Sequence, residues 1–384
     1  MERKRVELLP GVYLTALRDQ DAPTACFRLA LLSQLNRETA AMNALLPDTL
    51  LQGKDIPAET TVTPLVRKIG EIQAAGFAAE FPNREDAVAP TAALLHSLLL
   101  QPDTHFGQLK KESVERALAL REEHAAAQDD PFQSLAEHMC CYEDYAIPVL
   151  GEDPEAGPNY YQKLSKHFKE WLAESPVELF YSGTLSAKDA AQVFAETFAA
   201  LPRGELEFDL GTDIRMNSVE EEPRFEDRSG PQGPHRIGVG WRLGETMLDP
   251  EPWTLEAMTA MFWYLGRGVE PNMRLDVHKG SLLAVCDIDP EDAPITRAGL
   301  DTVMDTVRMG GFSNAALDAA RKDRIAALRA IPESSAALER WWLEQDLLGL
   351  ELAPEEYAAF TEEATRADIV AVSAGIECDA ILLE

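Results

Sequence analysis

Two short stretches decide the architecture of this chain: Glu115-Arg116-Ala117-Leu118-Ala119-Leu120-Arg121 and Asp323-Arg324-Ile325-Ala326-Ala327-Leu328-Arg329. Both place apolar residues at helical spacing between charged ends. Each follows an apolar helical stretch, a Pro or Gly break, and a Phe, Phe106 in one case and Phe312 in the other. The elements around them recur in the same order. A repeat of this length and order points to a duplicated unit.

Outward from the first stretch, residues 12–17 and 26–32 carry strand-type residues on either side of Arg18-Asp19-Gln20-Asp21-Ala22-Pro23, and read as a hairpin. A helix is expected from about Arg37, and residues 60–69 also read as helix. Phe77, Ala79 and Phe81 alternate with Ala78 and Glu80 as in a strand. Residues 92–100 form an apolar helical pattern ended by Gln101-Pro102, and a long one covers 106–127. A helix over 160–172, a strand over 177–181 and a helix over 187–200 complete the first cycle.

The second cycle reads as strand 236–243, helix 254–265, strand 282–288, helices 296–309, 314–329 and 336–348, a helix from Arg366 and a strand at 380–383. Strands and helices are interspersed, and some strands are adjacent. This favours an α+β class, with mainly antiparallel sheets faced by helices. The expected domains are 1–204 and 236–384. An acidic Pro/Gly linker is expected over 205–235, from Val219-Glu220-Glu221-Glu222-Pro223 and Ser229-Gly230-Pro231-Gln232-Gly233-Pro234.

Composition narrows the function. The 384 residues suit about two to three domains by length alone. A hydrophobic share of 46% is enough for real cores, so the chain is globular. A net charge of −31 argues against nucleic acid and anionic membrane surfaces as partners, since both need a basic face. It suits high solubility or a cavity that attracts basic peptides. Met1-Glu2-Arg3-Lys4-Arg5 is charged without an apolar core behind it, and no apolar run approaches the ~18 residues of a membrane span. Cys26, Cys140, Cys141, Cys286 and Cys378 are odd in number and lack paired spacing. A cytoplasmic, reducing location is the expectation.

Four segments, taken in order, resemble the insulinase/pitrilysin family of inverted-motif zinc peptidases. The first is the N-terminal strand pair followed by a helix ending in Leu50-Leu51-Gln52-Gly53. The second is Leu99-Leu100-Gln101-Pro102 leading to Glu115-Arg116, Leu120 and Glu122, then Asp129-Asp130-Pro131. The third is Leu179-Phe180-Tyr181-Ser182-Gly183-Thr184-Leu185. The fourth is Gly310-Gly311-Phe312-Ser313 with Leu317 and Ala320. The resemblance covers nearly the whole chain and rests on the order of the segments. It implies two similar α+β domains, half of a peptidase clamshell whose four domains enclose a peptide-sized chamber.

Active members of that family hold zinc with two His one helical turn apart, and a Glu beside the second His acts as general base. A third ligand, a Glu, comes from another helix. In this chain the motif position reads Asn43-Ala44-Leu45-Leu46-Pro47-Asp48-Thr49-Leu50-Leu51-Gln52-Gly53. The resemblance puts Ala44 at the first His, Pro47 at the base, Asp48 at the second His and Glu122 at the third ligand. Zinc is therefore expected to be absent. Pro47 is expected to kink or end the helix. Active relatives also grip the substrate backbone with an Arg and a Tyr. The corresponding region, 266–280, has no Tyr, and Arg274 is the one candidate there.

The reading that follows is a non-catalytic subunit that binds or shapes an extended peptide, and completes the chamber of an active zinc peptidase subunit. Two alternatives stay open: a homodimeric peptide-binding scaffold, and a zinc peptidase using Asp48, Glu122 and an imidazole from elsewhere. Other candidates have plainer readings. Glu137-His138-Met139-Cys140-Cys141 carries metal-capable groups, but helical neighbours point about 100° apart and rarely share an ion. His124 reads as a surface group, and Cys26 and Cys286 as packing residues. Gly238 and Gly240 lack the context of a dinucleotide fingerprint. Trp341-Trp342 and Met261-Phe262-Trp263-Tyr264 read as core or interface.

Overall fold

The structure is a computed structural model that describes residues 3–127, 130–154, 156–204, 206, 210–216 and 222–384, with the backbone alone at 126 and 127. It divides into two compact units. The first holds residues up to 129 and 147–211, and the second holds 130–146 and 212–384.

The first unit begins with β1 (Arg3–Leu9), β2 (Val12–Arg18), β3 (Thr24–Gln34) and helix α1 (Ala40–Leu51). It continues with β4 (Thr61–Ile69), β5 (Ile72–Pro82), α2 (Glu85–Leu100), the small pair β6 (Thr104–His105) and β7 (Gln108–Leu109), and α3 (Lys111–Ala127). After α4 (Gln133–Met139), which belongs to the second unit, come α5 (Tyr160–Glu174), β8 (Val177–Gly183) and α6 (Ala187–Phe198). The sheet order is β1-β2-β8-β3-β5-β4. Phe27, Leu29 and Leu31 alternate onto one face of β3 and pack with Leu95, Leu164, Phe194 and Phe198 from the helices. Burying each of these side chains contributes about 1.5–3 kcal/mol.

The second unit contains β9 (Arg224–Asp227), β10 (Arg236–Arg242), α7 (Pro252–Leu265), β11 (Asn272–Asp276) and β12 (Ser281–Asp287). Helices α8 (Ala293–Arg308), α9 (Asn314–Ala330), α10 (Ser335–Leu347), α11 (Pro354–Glu363) and α12 (Arg366–Ser373) follow, and β13 (Glu377–Leu383) closes it. Its sheet order is β11-β12-β10-β13-β9. Read from the other edge, this repeats β2-β8-β3-β5-β4 of the first sheet. Within this shared five-strand order the first strand in sequence pairs parallel with the last, β2 with β8 and β9 with β13, and the other pairings are antiparallel. The duplication expected from the two short stretches is therefore present in the topology.

One face of the second sheet packs on α7 and α8 through Leu282, Ala284 and Cys286. The other face is covered by α4, whose Leu135, Ala136 and Met139 lie on Leu283, Val285, Ala380 and Leu382. Gly238 and Gly240 make room for it: a Cβ at Gly238 would stand 3.2 Å from Leu135, and one at Gly240 2.8 Å from the Met139 sulfur. That close approach is the reason for glycine inside this strand.

The structure departs from the sequence reading in several places. Residues 60–69 are the edge strand β4, not a helix. Residues 12–17 and 26–32 are both strands but not partners, because β8 lies between β2 and β3. The long helix of 106–127 starts only at Lys111. Within the stretch read as a linker, Arg224–Asp227 forms β9 and pairs with β13. Residues 130–146, read as part of the domain 1–204, belong to the second unit and pack on its sheet. Asp129, the linker residues 205 and 207–209, and the acidic run at 217–221 lie outside the described residues.

Candidate functional site

Helix α1 carries the positions at which the resemblance places a metal. Ala40, Ala41, Met42, Ala44, Leu45 and Leu46 are good helix formers, and they make the helix apolar on every side. Residues 40–50 are all buried, as a helix with no polar face must be. Pro47 has no N–H to donate one turn back, yet α1 runs on to Leu51. The helix does not end at Pro47, and its buried neighbours on both sides of that residue hold it in the core.

The polar side chain Asn43 lies 1% exposed in this apolar setting, with a polar partner at each end of its amide. Its Nδ2 donates to Gln73 Oε1 at 3.1 Å, and His167 Nε2 donates to its Oδ1 at 2.6 Å. Burial pushes the His167 imidazole down to about 4, so the ring is neutral at pH 7. Gln73 Nε2 in turn donates to the carbonyls of Ala40 at 3.0 Å and Val149 at 2.8 Å.

Val149 belongs to a turn laid over the first turn of α1. Arg121 on α3 holds this turn. Its Nη2 donates to the carbonyls of Leu150, Gly151 and Glu152 at 3.1, 2.8 and 3.1 Å, and its Nη1 to Asp153 Oδ1 at 2.7 Å. Arg121 is 7% exposed and continues the buried stripe Val114, Ala117 of α3. Gly151 has φ +71°, and a Cβ there would stand 2.3 Å from the Ala41 backbone nitrogen. Only glycine meets both conditions.

Asp48 is 8% exposed, and burial raises its carboxyl above the usual range, with His124 opposing. The His124 Nδ1 lies 3.7 Å from Asp48 Oδ2, so the structure brings these two groups together. Glu122 is exposed, whereas its neighbour Arg121 is buried. Ala44 and Pro47 offer no donor atoms for a metal. Among the described residues, no three His, Cys, Asp or Glu gather closely enough to hold an ion. The donors present do not fit a zinc site, which takes three protein ligands.

No protein-family model matches the sequence, and no curated protein does. Solved structures do match. A conserved protein from Enterococcus faecalis V583 superposes with a TM-score of 0.82 at 17% identity, over 99% of this chain and 98% of that one. The inactive domain of an M16 peptidase from Pseudomonas fluorescens gives 0.75 at 16% identity, over 100% and 97%. A predicted insulinase family protease from Yersinia pestis gives 0.64 at 16%, over 99% and 92%. The fold is that of the M16, insulinase-type peptidases. At these identities the likeness concerns the fold.

Within this M16-type fold, Arg274 is already engaged. It makes a bidentate pair with Asp130 at 2.8 and 2.9 Å and stacks over Phe132 at 4.4 Å, holding the segment that leads into α4. The same segment is fastened by Glu143, which pairs with Arg215 and with the fully buried Lys279 at 2.5 Å. His138 serves packing here, with its ring nitrogens against Glu226 at 2.9 Å and the Arg224 carbonyl at 3.2 Å. Sequence reasoning missed Arg121, Gln73, Lys68 and Gly151. One signal was available: Arg121 stands in helical register with Val114 and Ala117, where an apolar residue is expected.

Proposed function

We propose that this chain is a non-catalytic subunit of the M16 peptidase type, which binds an extended peptide and completes the chamber of an active zinc peptidase subunit of the same fold. The observation that carries this reading is the state of α1. The positions for two ligands and the base hold Ala44, Asp48 and Pro47, on a helix buried along its length. Of these three positions only Asp48 carries an oxygen donor, no imidazole is present, and Pro47 leaves water activation without its base.

Peptide binding is supported by β4, which is the edge of its sheet and contacts α1. An edge strand can add an extended peptide through main-chain hydrogen bonds. Pro64 removes one donor from that edge, while Thr61 and Thr63 remain exposed along it. The net charge of −31 favours basic segments as ligands.

The test is capture of the tagged full chain from its own cells, followed by size exclusion with light scattering. The reading expects a one-to-one complex with a zinc-bearing chain of the same fold. A homodimer that hydrolyses no peptide would replace it with the scaffold reading.

A further inference from the structure

The turn over α1 is held in an unusual way. Among the described residues, the donors to the carbonyls of Ile147, Val149, Leu150, Gly151 and Glu152 are side chains: Lys68 Nζ at 3.2 Å, Gln73 Nε2 at 2.8 Å, and Arg121 Nη2 at the three distances above. The turn closes on itself through the Gly151 N–H and the Pro148 carbonyl at 2.8 Å. Ile147 packs into a small cluster with Leu35 and Ala40, apart from the main core. Side chains that read main-chain carbonyls do not depend on the sequence they hold. They would grip a peptide from another source in the same way.

The turn also leaves donors unused. Arg121 Nε and the Tyr160 hydroxyl have no hydrogen-bond partner among the described residues, although these side chains are 7% and 9% exposed. A buried donor without an acceptor weakens the state that leaves it unpaired. A ligand that supplied a further carbonyl here would satisfy what the turn does not.

We propose that residues 147–153 are a resident ligand of the first unit. The chain's own turn fills a carbonyl-reading pocket made by Lys68, Gln73 and Arg121, and an outside peptide enters when the turn leaves. The inference rests on the peptide-binding reading above and names the residues that would do the binding. The pocket selects for glycine at the position over Ala41, where a Cβ has no room.

The test uses the full chain and a fluorescein-labelled, amidated peptide of residues 147–153, read by anisotropy. Gly151→Ala weakens the turn's own seat and should bind this probe at least tenfold more tightly than the parent chain. Adding Arg121→Gln should abolish that gain. A folded Gly151→Ala chain with no gain overturns the proposal, as does a gain that survives Arg121→Gln. Hydrogen exchange of the parent chain gives a test that needs no variant. The Gly151 amide should exchange through a local opening insensitive to low urea, whereas the α1 amides exchange through global unfolding. If Gly151 and α1 share one urea dependence, the turn is ordinary core and the proposal fails. A chain that binds basic extended peptides but not this probe keeps its proposed function and loses the resident ligand.

Discussion

Helices α1 and α7 occupy the same place in two copies of one topology, after β3 and β10, and they are treated differently. Helix α1 is buried along residues 40–50 and covered at its start by a turn that Arg121 holds. Helix α7 leaves Trp263 exposed, and its Glu256 pairs with Arg324 of α9 at 2.7 Å. The sequence repeat aligns Arg121 with Arg329. Yet Arg329 is on the surface with Glu355 and Glu362, and the α9 arginine that reaches α7 is Arg324. The two copies thus share a fold while using their arginines for different ends. In the second, an arginine meets a carboxylate on the counterpart helix. In the first, the arginine has gone to a loop.

The comparison can be broken most directly at these arginines. Arg121→Ala should lower the stability of the first unit by about 3 kcal/mol, because two buried carbonyls and one part-buried carbonyl lose a charged donor. Arg329→Ala should cost no more than about 1 kcal/mol, as exposed pairs do. Urea denaturation of both variants checks the contrast, and equal losses would contradict it.

The next effect is set by pH. His167 is buried neutral and pushed down to about 4 from an ordinary value near 6.5. Between these values the unfolded chain binds a proton that the folded chain refuses. Its contribution is complete above about pH 6.5 and is lost as pH falls toward 4, by up to about 3 kcal/mol. Urea midpoints measured from pH 7 to 4 should show this loss, and His167→Gln should flatten that part of the profile.

The second unit has its own sensitive point. Gly240→Val brings side-chain atoms onto Met139, the residue that seats α4, and should cost about 1–3 kcal/mol. The loss should appear as faster proteolysis within residues 130–146, with the first unit unaffected. The smallest effect is expected at Asp48. Burial raises its carboxyl, so stability falls as pH rises from the ordinary carboxylate range to that raised value, and the loss is complete above it. Asp48→Asn should raise the urea midpoint at pH 7, and the gain should vanish in acid, where Asp48 is protonated in both states.

Most of the fold was legible, because period and order carry it: Phe77, Ala79 and Phe81 alternate, and Val114, Ala117 and Arg121 recur at helical spacing. The failures have physical causes. In β4, Val62, Leu65, Val66 and Ile69 are spaced like a helical stripe, and their strand state is imposed by pairing with β5. In β9 only Phe225 is apolar, so its ladder with β13 had no local signal. The segment 130–146 packs against strands more than a hundred residues away in the sequence, beyond any local pattern. At the candidate site, the resemblance marked Ala44, Pro47, Asp48 and Glu122. The side chains that hold the surroundings of α1 are polar residues within apolar runs, Asn43, Gln73 and Arg121, whose roles show only once their partners are in place.

The central claim is that the α1 site does not serve as a zinc centre. The most direct test is metal content by mass spectrometry, on the purified chain after dialysis against zinc and size exclusion. The account predicts less than about a tenth of a zinc per chain, given the donors a zinc site needs. A value near one zinc per chain, lost in Asp48→Ala, would contradict it.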